Sequence, residues 1–366
     1  MKKIRVEISA LATPHQSGVA RYTQLLVNSL AKHPNTKVYG SYFNFLNRQQ
    51  EPVIDSRVVK EKNIFFPLRV YAKLNSLFKV PPFDIFKKKV DLTIHPNFTL
   101  WPTTKSKYTA TLIHDLTYIL YPDLVENKNL PHLKRVVPTA VKKSDFIITI
   151  SQTMKKEIEQ NFKVDSSRLI VTTIPPDEIF YKKSDNEIHK KYNISTDNYI
   201  LFIGNLEPRK NLSTLVKAYR LLPADIKKKY SLIIGGGKGW NFEETERLIE
   251  SGPEDENIIK IGFVDQQDLP ALYQKASLFV MPSLYEGFGM PILEALASEC
   301  NVLASDIPIL RETGGDAVTY AKPDSPKDFS QKIDIALQAK FDKSKAVNHL
   351  SKFSWDRNVE NILEKL

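Results

Sequence analysis

The sequence predicts an α/β protein built from two doubly wound domains, each a parallel sheet covered by helices on both faces. Three observations carry that expectation. Short apolar, β-branched runs alternate with segments of helical period through most of the chain. The alternation breaks once and then restarts. And 366 residues exceed the roughly 250–300 at which a single hydrophobic core stops growing.

In the first half, Ile4–Ile8 reads as a strand, and Gly18 to Lys32 places Val19, Tyr22, Leu25, Leu26 and Leu30 on one helical face. Further strands are expected at Val38–Phe43, Val90–Ile94, Tyr108–Ile113, Phe146–Ile150 and Leu169–Ile174. Ser151 is placed to cap a helix carrying Met154, Ile158 and Phe162. Pro175-Pro176 ends the last strand, because proline supplies no ladder donor. Tyr181–Lys191, polar and poor in apolar residues, is the expected linker. The second half restarts with a strand at Tyr199–Gly204 and a helix with Leu212, Leu215, Val216 and Tyr219 on one face. Strands at Ser231–Ile234, Ile258–Phe263, Leu278–Met281 and Asn301–Ala304 follow, and Trp355–Leu366 closes the chain as a helix. The domains are therefore expected over 1–180 and 192–350.

Composition narrows the function classes. Hydrophobic content of 42% with 26% charged residues is ordinary for a globular chain, which sets aside disordered and collagen-like classes. A formal net charge of +10 predicts attraction to something anionic: nucleotide phosphate, lipid headgroup or nucleic acid. One cysteine, Cys300, excludes an internal disulfide framework and fits a reducing compartment. Arg5 and Glu7 interrupt the only apolar run of the basic N-terminus, which therefore reads as a strand and not a secretory leader. No window approaches the roughly 18–20 apolar residues of a spanning helix. The expected location is cytoplasmic, with peripheral contact at the inner face of the cell membrane as an option.

The strongest constellation is Ser283-Leu-Tyr-Glu-Gly-Phe-Gly-Met-Pro-Ile-Leu-Glu294. Gly287 and Gly289 let the backbone approach a ligand, Pro291 suits the first turn of a helix, and amides at a helix start suit phosphate. Glu286 in the loop and Glu294 one turn into the helix can face one polar ligand, since sugar hydroxyls donate well to carboxylates. The competing reading is a helix start with solvated acids. The second constellation, Gly204-Asn-Leu-Glu-Pro-Arg-Lys-Asn211, puts Arg209 and Lys210 between a strand and a helix, where they would neutralise a diphosphate; the alternative is two solvated surface cations.

Together these elements resemble the retaining, family-four glycosyltransferases of GT-B architecture. The resemblance lies in the Arg-Lys pair after the first strand of the second domain, followed by Glu, seven residues and Glu enclosing Gly-Phe-Gly-Met-Pro, in motif order over Tyr199–Lys322. It implies that Arg209 and Lys210 hold the diphosphate, that Glu294 accepts from the nucleotide ribose and that Glu286 sits by the transferred sugar. It further implies that backbone around Phe288, Gly289, Met290 and Pro291, with Gly204 and Asn205, contacts sugar and phosphates, and that Phe263 and Val264 frame the nucleobase. In the first half, Gly18, Arg21 and Tyr22 occupy the family's glycine-loop position after Ser17, and His114-Asp115 resembles the pair beside the sugar. The fold implied is two domains facing across a cleft, with donor on the second, acceptor on the first and a C-terminal helix, 353–366, returning to the first. His114 is not read as a general base, since retention in this family is usually explained by front-face attack.

No Asp-any-Asp triplet, zincin spacing or Walker loop occurs, so no metal or cofactor is expected. Gly235-Gly-Gly-Lys-Gly239 reads as a tight turn lining the donor cleft. A glycosidase would not need the cationic pair. A basic protein binding nucleic acid or membrane without catalysis is the alternative from another class, but the lysines are dispersed and no stacking motif of RNA-binding kinds occurs. The segment Phe65 to Val80, continued by Phe83, Phe86 and Lys87-Lys-Lys89, mixes aromatics and basics as an anionic interface would require; packing on the first domain is the other reading. The expected donor is GDP-mannose, because the His-Asp-Leu and Glu-Pro-Arg-Lys-Asn variants resemble the mannosyltransferase branch; UDP-sugars and dTDP-rhamnose stay open. The expected acceptor is a saccharide or a lipid-linked saccharide, not nucleic acid.

Overall fold

The computed structural model describes residues 1–13, 18–64, 66–78, 81–184, 187–253 and 256–366. Its contacts divide the chain into two units: Met1–Leu120, Asn127–Ile174 and Ser354–Leu366 form one, and Tyr121–Glu126 with Pro175–Phe353 form the other.

The first unit holds β1 (Lys2–Glu7), β2 (Thr36–Phe43), β3 (Val59–Asn63), β4 (Val90–His95), β5 (Ser106–Ile113), β6 (Phe146–Thr149) and β7 (Leu169–Val171). They pair in the order β3-β2-β1-β4-β5-β6-β7, parallel throughout. The second unit holds β8 (Tyr199–Ile203), β9 (Ser231–Gly235), β10 (Ile258–Gly262), β11 (Leu278–Met281), β12 (Val302–Ser305) and β13 (Thr319–Ala321), in the parallel order β10-β9-β8-β11-β12-β13. Parallel neighbours require crossovers, and helices supply them. Each sheet reverses its winding once, between β1 and β4 in the first and between β8 and β11 in the second.

The expected helices form where apolar periodicity put them. Gly18–Lys32 buries Tyr22, Leu26 and Leu30, and Leu212–Arg220 buries Leu215, Val216 and Tyr219. Ser151 caps Gln152–Phe162 by accepting from the Met154 amide at 3.0 Å. Two strands escaped the sequence reading. β3 reads Val-Lys-Glu-Lys-Asn, a charged edge that carries no apolar alternation, and β13 is three residues long.

The arginine and glutamate that interrupt the first strand's apolar pattern lie inside. Arg5 is fully buried, donating Nε to Glu61 Oε2 at 2.9 Å and Nη2 to the Lys88 carbonyl at 2.6 Å, with Asp84 at 3.7 Å. Burial raises the Glu7 carboxyl above its ordinary value, against the hydrogen bonds it receives from Ser9. Residues 81–88 are thereby tied to the sheet by a buried charge network.

The chain crosses between units at Ile174–Pro175, not over the expected linker 181–191. There Ile188 is buried in the second unit, as is Phe180 just before the stretch, two apolar anchors for a polar segment. Residues 185–186 of that expected linker lie outside the described residues. The last helix, Trp355–Leu363, packs on Gly18–Lys32 and on β7 of the first unit. Val359 and Ile362 are buried. Asn358, 2% exposed, extends the edge of β7 as a strand would: its Oδ1 accepts from the Thr173 amide at 2.9 Å and its Nδ2 donates to the Thr173 carbonyl at 2.7 Å. Asn358→Ala strips both partners from the half-buried Thr173 peptide, so it should cost about 1–3 kcal/mol in urea unfolding. A loss under about 1 kcal/mol would mean that apolar contacts alone dock this helix.

Candidate functional site

Where the second sheet reverses its order, the loops after β8 and β11 emerge side by side, and ligands of open α/β sheets gather at such points. The loop after β8 ends in the turn Pro208–Lys210 and in Asn211, which takes the left-handed conformation (φ 54°). That conformation is open to asparagine at small cost. The Asn211 amide donates to the carbonyls of Pro282 (2.9 Å) and Pro323 (2.8 Å), while its Oδ1 accepts from Thr214 Oγ1 at 2.8 Å. The Leu284 amide donates to the Arg209 carbonyl at 2.9 Å. The two loops are therefore stitched together before any charged side chain is considered.

The glycine run after β9 serves the same end. A Cβ on Gly236, whose φ is 152°, would lie 1.8 Å from the Gly204 carbonyl oxygen. The close approach lets Leu206 donate to the Gly237 carbonyl (2.9 Å) and Gly239 donate back to the Leu206 carbonyl (3.1 Å). The run, expected as a tight turn lining the donor cleft, clamps the loop that carries Arg209 and Lys210.

On this frame Arg209, Lys210 and Glu286 meet. Arg209 Nη1 donates to Glu286 Oε2 at 2.6 Å and to the Tyr285 carbonyl at 3.0 Å; its Nε donates to Glu207 Oε1 at 3.0 Å. Lys210 Nζ donates to Glu286 Oε1 at 2.6 Å, and Ser283 Oγ donates to the same oxygen at 2.8 Å. Glu286 is 6% exposed. Burial pushes its carboxyl up, but the charges of Arg209 and Lys210 outweigh burial and hold it at about 2. Two carboxylates and two cations thus form one hydrogen-bonded cluster whose cations keep a small exposed fraction.

Gly289 (φ 94°) opens the helix Met290–Ala297 with Pro291 in its first turn, as the motif predicted. Gly287 and Gly289 are buried, while Met290 and Pro291 are half-buried. Phe288 is a core residue: its ring packs edge-on to Phe353 and its carbonyl accepts from Thr313 Oγ1. Glu294 is buried and accepts from the Tyr273 hydroxyl at 3.3 Å. Burial and the Glu294 charge raise the Tyr273 hydroxyl far above its ordinary value, so it stays a donor. Gly204 is half-buried and Asn205 exposed, its carbonyl accepting from the Glu207 amide. Phe263 is 74% exposed beyond the end of β10 and Val264 is buried, two strands away from β8. Asn211, Ser283 and Tyr273 were not singled out from sequence. The first two stood inside the quoted motifs, whereas Tyr273 lies on an apolar helix face and looked like core.

In the first unit, Gly18 is exposed at a helix start, and Ser17 lies outside the described residues. Arg21 donates to Gln24 Oε1 at 3.1 Å. Tyr22, expected at the substrate, is buried: its hydroxyl bonds Thr172 Oγ1 at 2.6 Å and its ring packs on Trp355 and edge-on to His114. His114 Nε2 lies 2.8 Å from the Pro96 carbonyl, which can only accept, so that nitrogen carries the proton. Burial lowers the His114 pKa, which the Pro96 bond and Asp115 oppose. Asp115 accepts from the Thr117 amide at 3.1 Å, at the start of the short helix Thr117–Leu120.

The basic-aromatic segment divides. Phe83 and Tyr71 are buried against Phe43, and the Lys87 ammonium sits 4.1 Å from the Phe83 ring centre, its pKa pushed down to about 8 by burial. Phe86 is 78% exposed, and Lys88 and Lys89 are exposed beside it. Phe65, Lys79 and Val80 lie outside the described residues. Among the described residues no group of three or more His, Cys, Asp or Glu is placed to hold a metal ion, and no helix is long and apolar enough to cross a membrane.

Because the Glu286 pKa is depressed in the fold, its stabilisation is complete above the ordinary value of 4.5 and is lost as pH falls toward about 2. Glu286→Gln should destabilise the protein by about 3–5 kcal/mol at neutral pH. The gap to the unaltered protein should narrow across that acid window. A pH-independent gap in denaturation midpoints would show that the Glu286 charge does not stabilise the fold.

The family model described as Glycosyl transferases group 1 matches residues 184–352. O-antigen chain mannosyltransferase B of Escherichia coli is 31% identical over 268 residues, 71% of this chain and 70% of that protein. The serotype-specific mannosyltransferase WbdA of Escherichia coli is 32% identical over 233 residues, which are 61% of this chain but only 28% of that longer protein. Among solved structures, sucrose-phosphate synthase from Thermosynechococcus elongatus superposes with a TM-score of 0.73 over 100% of this chain and 98% of that one, at 14% identity, a likeness of fold alone. With the paired Rossmann-like sheets, these similarities place the chain among the group 1 glycosyl transferases, as a glycosyltransferase of GT-B fold in the mannosyltransferase-like branch.

Proposed function

We propose that the chain transfers mannose from GDP-mannose to a hydroxyl of a saccharide or lipid-linked saccharide, with retention at the anomeric carbon and no metal at the transfer step. The observation that carries this reading is the Arg209–Lys210–Glu286 cluster at the reversal point of the second sheet, beside the helix that starts at Met290. When the bond from the anomeric carbon to the diphosphate oxygen breaks, negative charge accumulates on the leaving group. Two preorganised cations in a partly desolvated site stabilise that charge most as it develops. Glu286 and Glu207 hold the cations in place, and the acceptor hydroxyl bonds the anomeric carbon on the face the diphosphate leaves, passing its proton to a departing phosphate oxygen. In this reading Glu294 receives the ribose hydroxyls, Phe263 and Val264 flank the base, and His114 and Asp115 of the acceptor-binding unit attend the sugar. The mannosyl assignment is supported by the names of the two relatives described above.

GDP and GDP-mannose should raise the melting temperature selectively over UDP, dTDP and ADP, since a ligand that binds only the folded state stabilises it by mass action. Arg209→Ala and Lys210→Ala should each weaken GDP binding about tenfold or more and lower turnover, which EDTA should leave intact. Unchanged GDP affinity in both variants would remove the site, and a selective UDP response would replace the donor.

Peripheral contact with an anionic bilayer belongs to the same proposal and is supported by exposed Phe86 with Lys88 and Lys89. Sedimentation with anionic vesicles should fall with salt and with Lys88→Glu/Lys89→Glu. Lys87 is unsuited to that test because it is packed against Phe83. Salt-independent or absent sedimentation would refute the contact.

A further inference from the structure

The polar stretch that reads as a linker ends on the loop that follows β10. Its short helix Ile188–Lys191 is anchored by fully buried Ile188, and Lys191 and the next residue, Tyr192, both reach one carboxylate. The Tyr192 hydroxyl donates to Asp268 Oδ2 at 2.7 Å, and Lys191 Nζ donates to the same oxygen at 2.5 Å. Asp268 is 3% exposed, so its charge has left water and meets these donors instead. Both residues also reach Asp265. Its Oδ2 accepts from Lys191 at 2.7 Å, and its amide donates to the Tyr192 hydroxyl at 3.2 Å. The Tyr192 oxygen therefore gives one hydrogen bond and takes another, joining Asp265 to Asp268 across the turn Gln266–Asp268. Hydrogen bonds to Asp265 and then Asp268 hold the Lys191 pKa above its ordinary value.

Asp265 directly follows Phe263 and Val264. The other end of that loop is pinned as well: the Gly236 amide donates to the Gly262 carbonyl at 2.7 Å, where the chain leaves β10 with φ 71°. Between the two pins Val264 is buried and Phe263 presents its ring to solvent. An apolar ring held at the carboxyl end of a parallel strand, on a loop fixed at both ends, suits a planar ligand that stacks on it. We propose that Tyr192, seconded by Lys191, is a positioning residue for the nucleotide base: by fixing Asp265 it holds the Phe263–Val264 loop in the form on which a base stacks. The inference rests on the reading above that Phe263 and Val264 flank the base. Tyr192 and Lys191 act through the loop and not on the nucleotide, by removing the ordering cost that a mobile loop would impose on base binding.

The test uses the full chain and measures GDP and inorganic pyrophosphate binding by calorimetry, with hydrogen exchange over residues 262–265 in the ligand-free protein. Tyr192→Phe keeps the ring and removes both hydrogen bonds. It should weaken GDP about three- to tenfold and leave pyrophosphate, which has no base, unchanged. Arg209→Ala should weaken both, because it acts on the phosphates. Lys191 is 43% exposed, so its replacement leaves the core intact. Lys191→Met should reproduce the Tyr192→Phe pattern, whereas Lys191→Arg should keep the native GDP affinity. The 262–265 amides should exchange faster in Tyr192→Phe and Lys191→Met, since the loop has lost one pin. Equal weakening of GDP and pyrophosphate would reveal a general loosening of the unit and overturn the inference, as would native GDP affinity in both variants; the donor reading would survive either result. A native protein that binds no nucleotide would remove the donor reading and the positioning role together.

Discussion

In the second unit the loops after β8 and β11 meet around one carboxylate shared between two cations. Glu286 is taken out of water, which by itself would neutralise it, and only Arg209 and Lys210 keep it ionised. The dependence is mutual, because adjacent cations on one short turn would repel each other without a buried anion between them. The cluster is therefore a tension held by geometry, and that geometry has to come from elsewhere in the fold.

It comes from backbone and from groups without charge. Strand order brings the β8 and β11 loops together, and Asn211 links them through the Pro282 carbonyl and reaches the segment after β13 through the Pro323 carbonyl. Gly236 admits the Gly204 carbonyl to a distance that no side chain would tolerate. The result is a cluster whose donors are held in fixed orientation by neutral groups, the condition under which electrostatic stabilisation is strongest.

The first unit handles charge differently. Its sheet buries Arg5 against Glu61 and Asp84, and that network draws the segment 81–88 onto the sheet. The basic-aromatic stretch is consequently split by the fold into an inner half, where Lys87 lies on Phe83, and an outer half with Phe86 exposed. Tyr22 undergoes a similar reassignment. Its hydroxyl bonds Thr172 and its ring supports His114 and Trp355, so it joins the first helix, the end of β7 and the returning C-terminal helix.

The sequence by itself determined the alternation of strands and helices, the helix faces and the two motifs, because periodicity, proline and glycine act over a few residues and leave local marks. It also marked Arg209, Lys210 and Glu286 as one candidate site, through the resemblance in motif order. Tertiary structure alone decided that Glu286 is shared by both cations, that Glu294 is met by Tyr273, and that the glycine run clamps a loop. It alone decided which lysines of 87–89 face inward, and that the chain crosses at Pro175 and not at its most polar stretch. Those outcomes depend on burial and on partners distant along the chain, 21 positions for Tyr273 and Glu294 and 77 for Arg209 and Glu286, and pairings between distant residues leave no local signature.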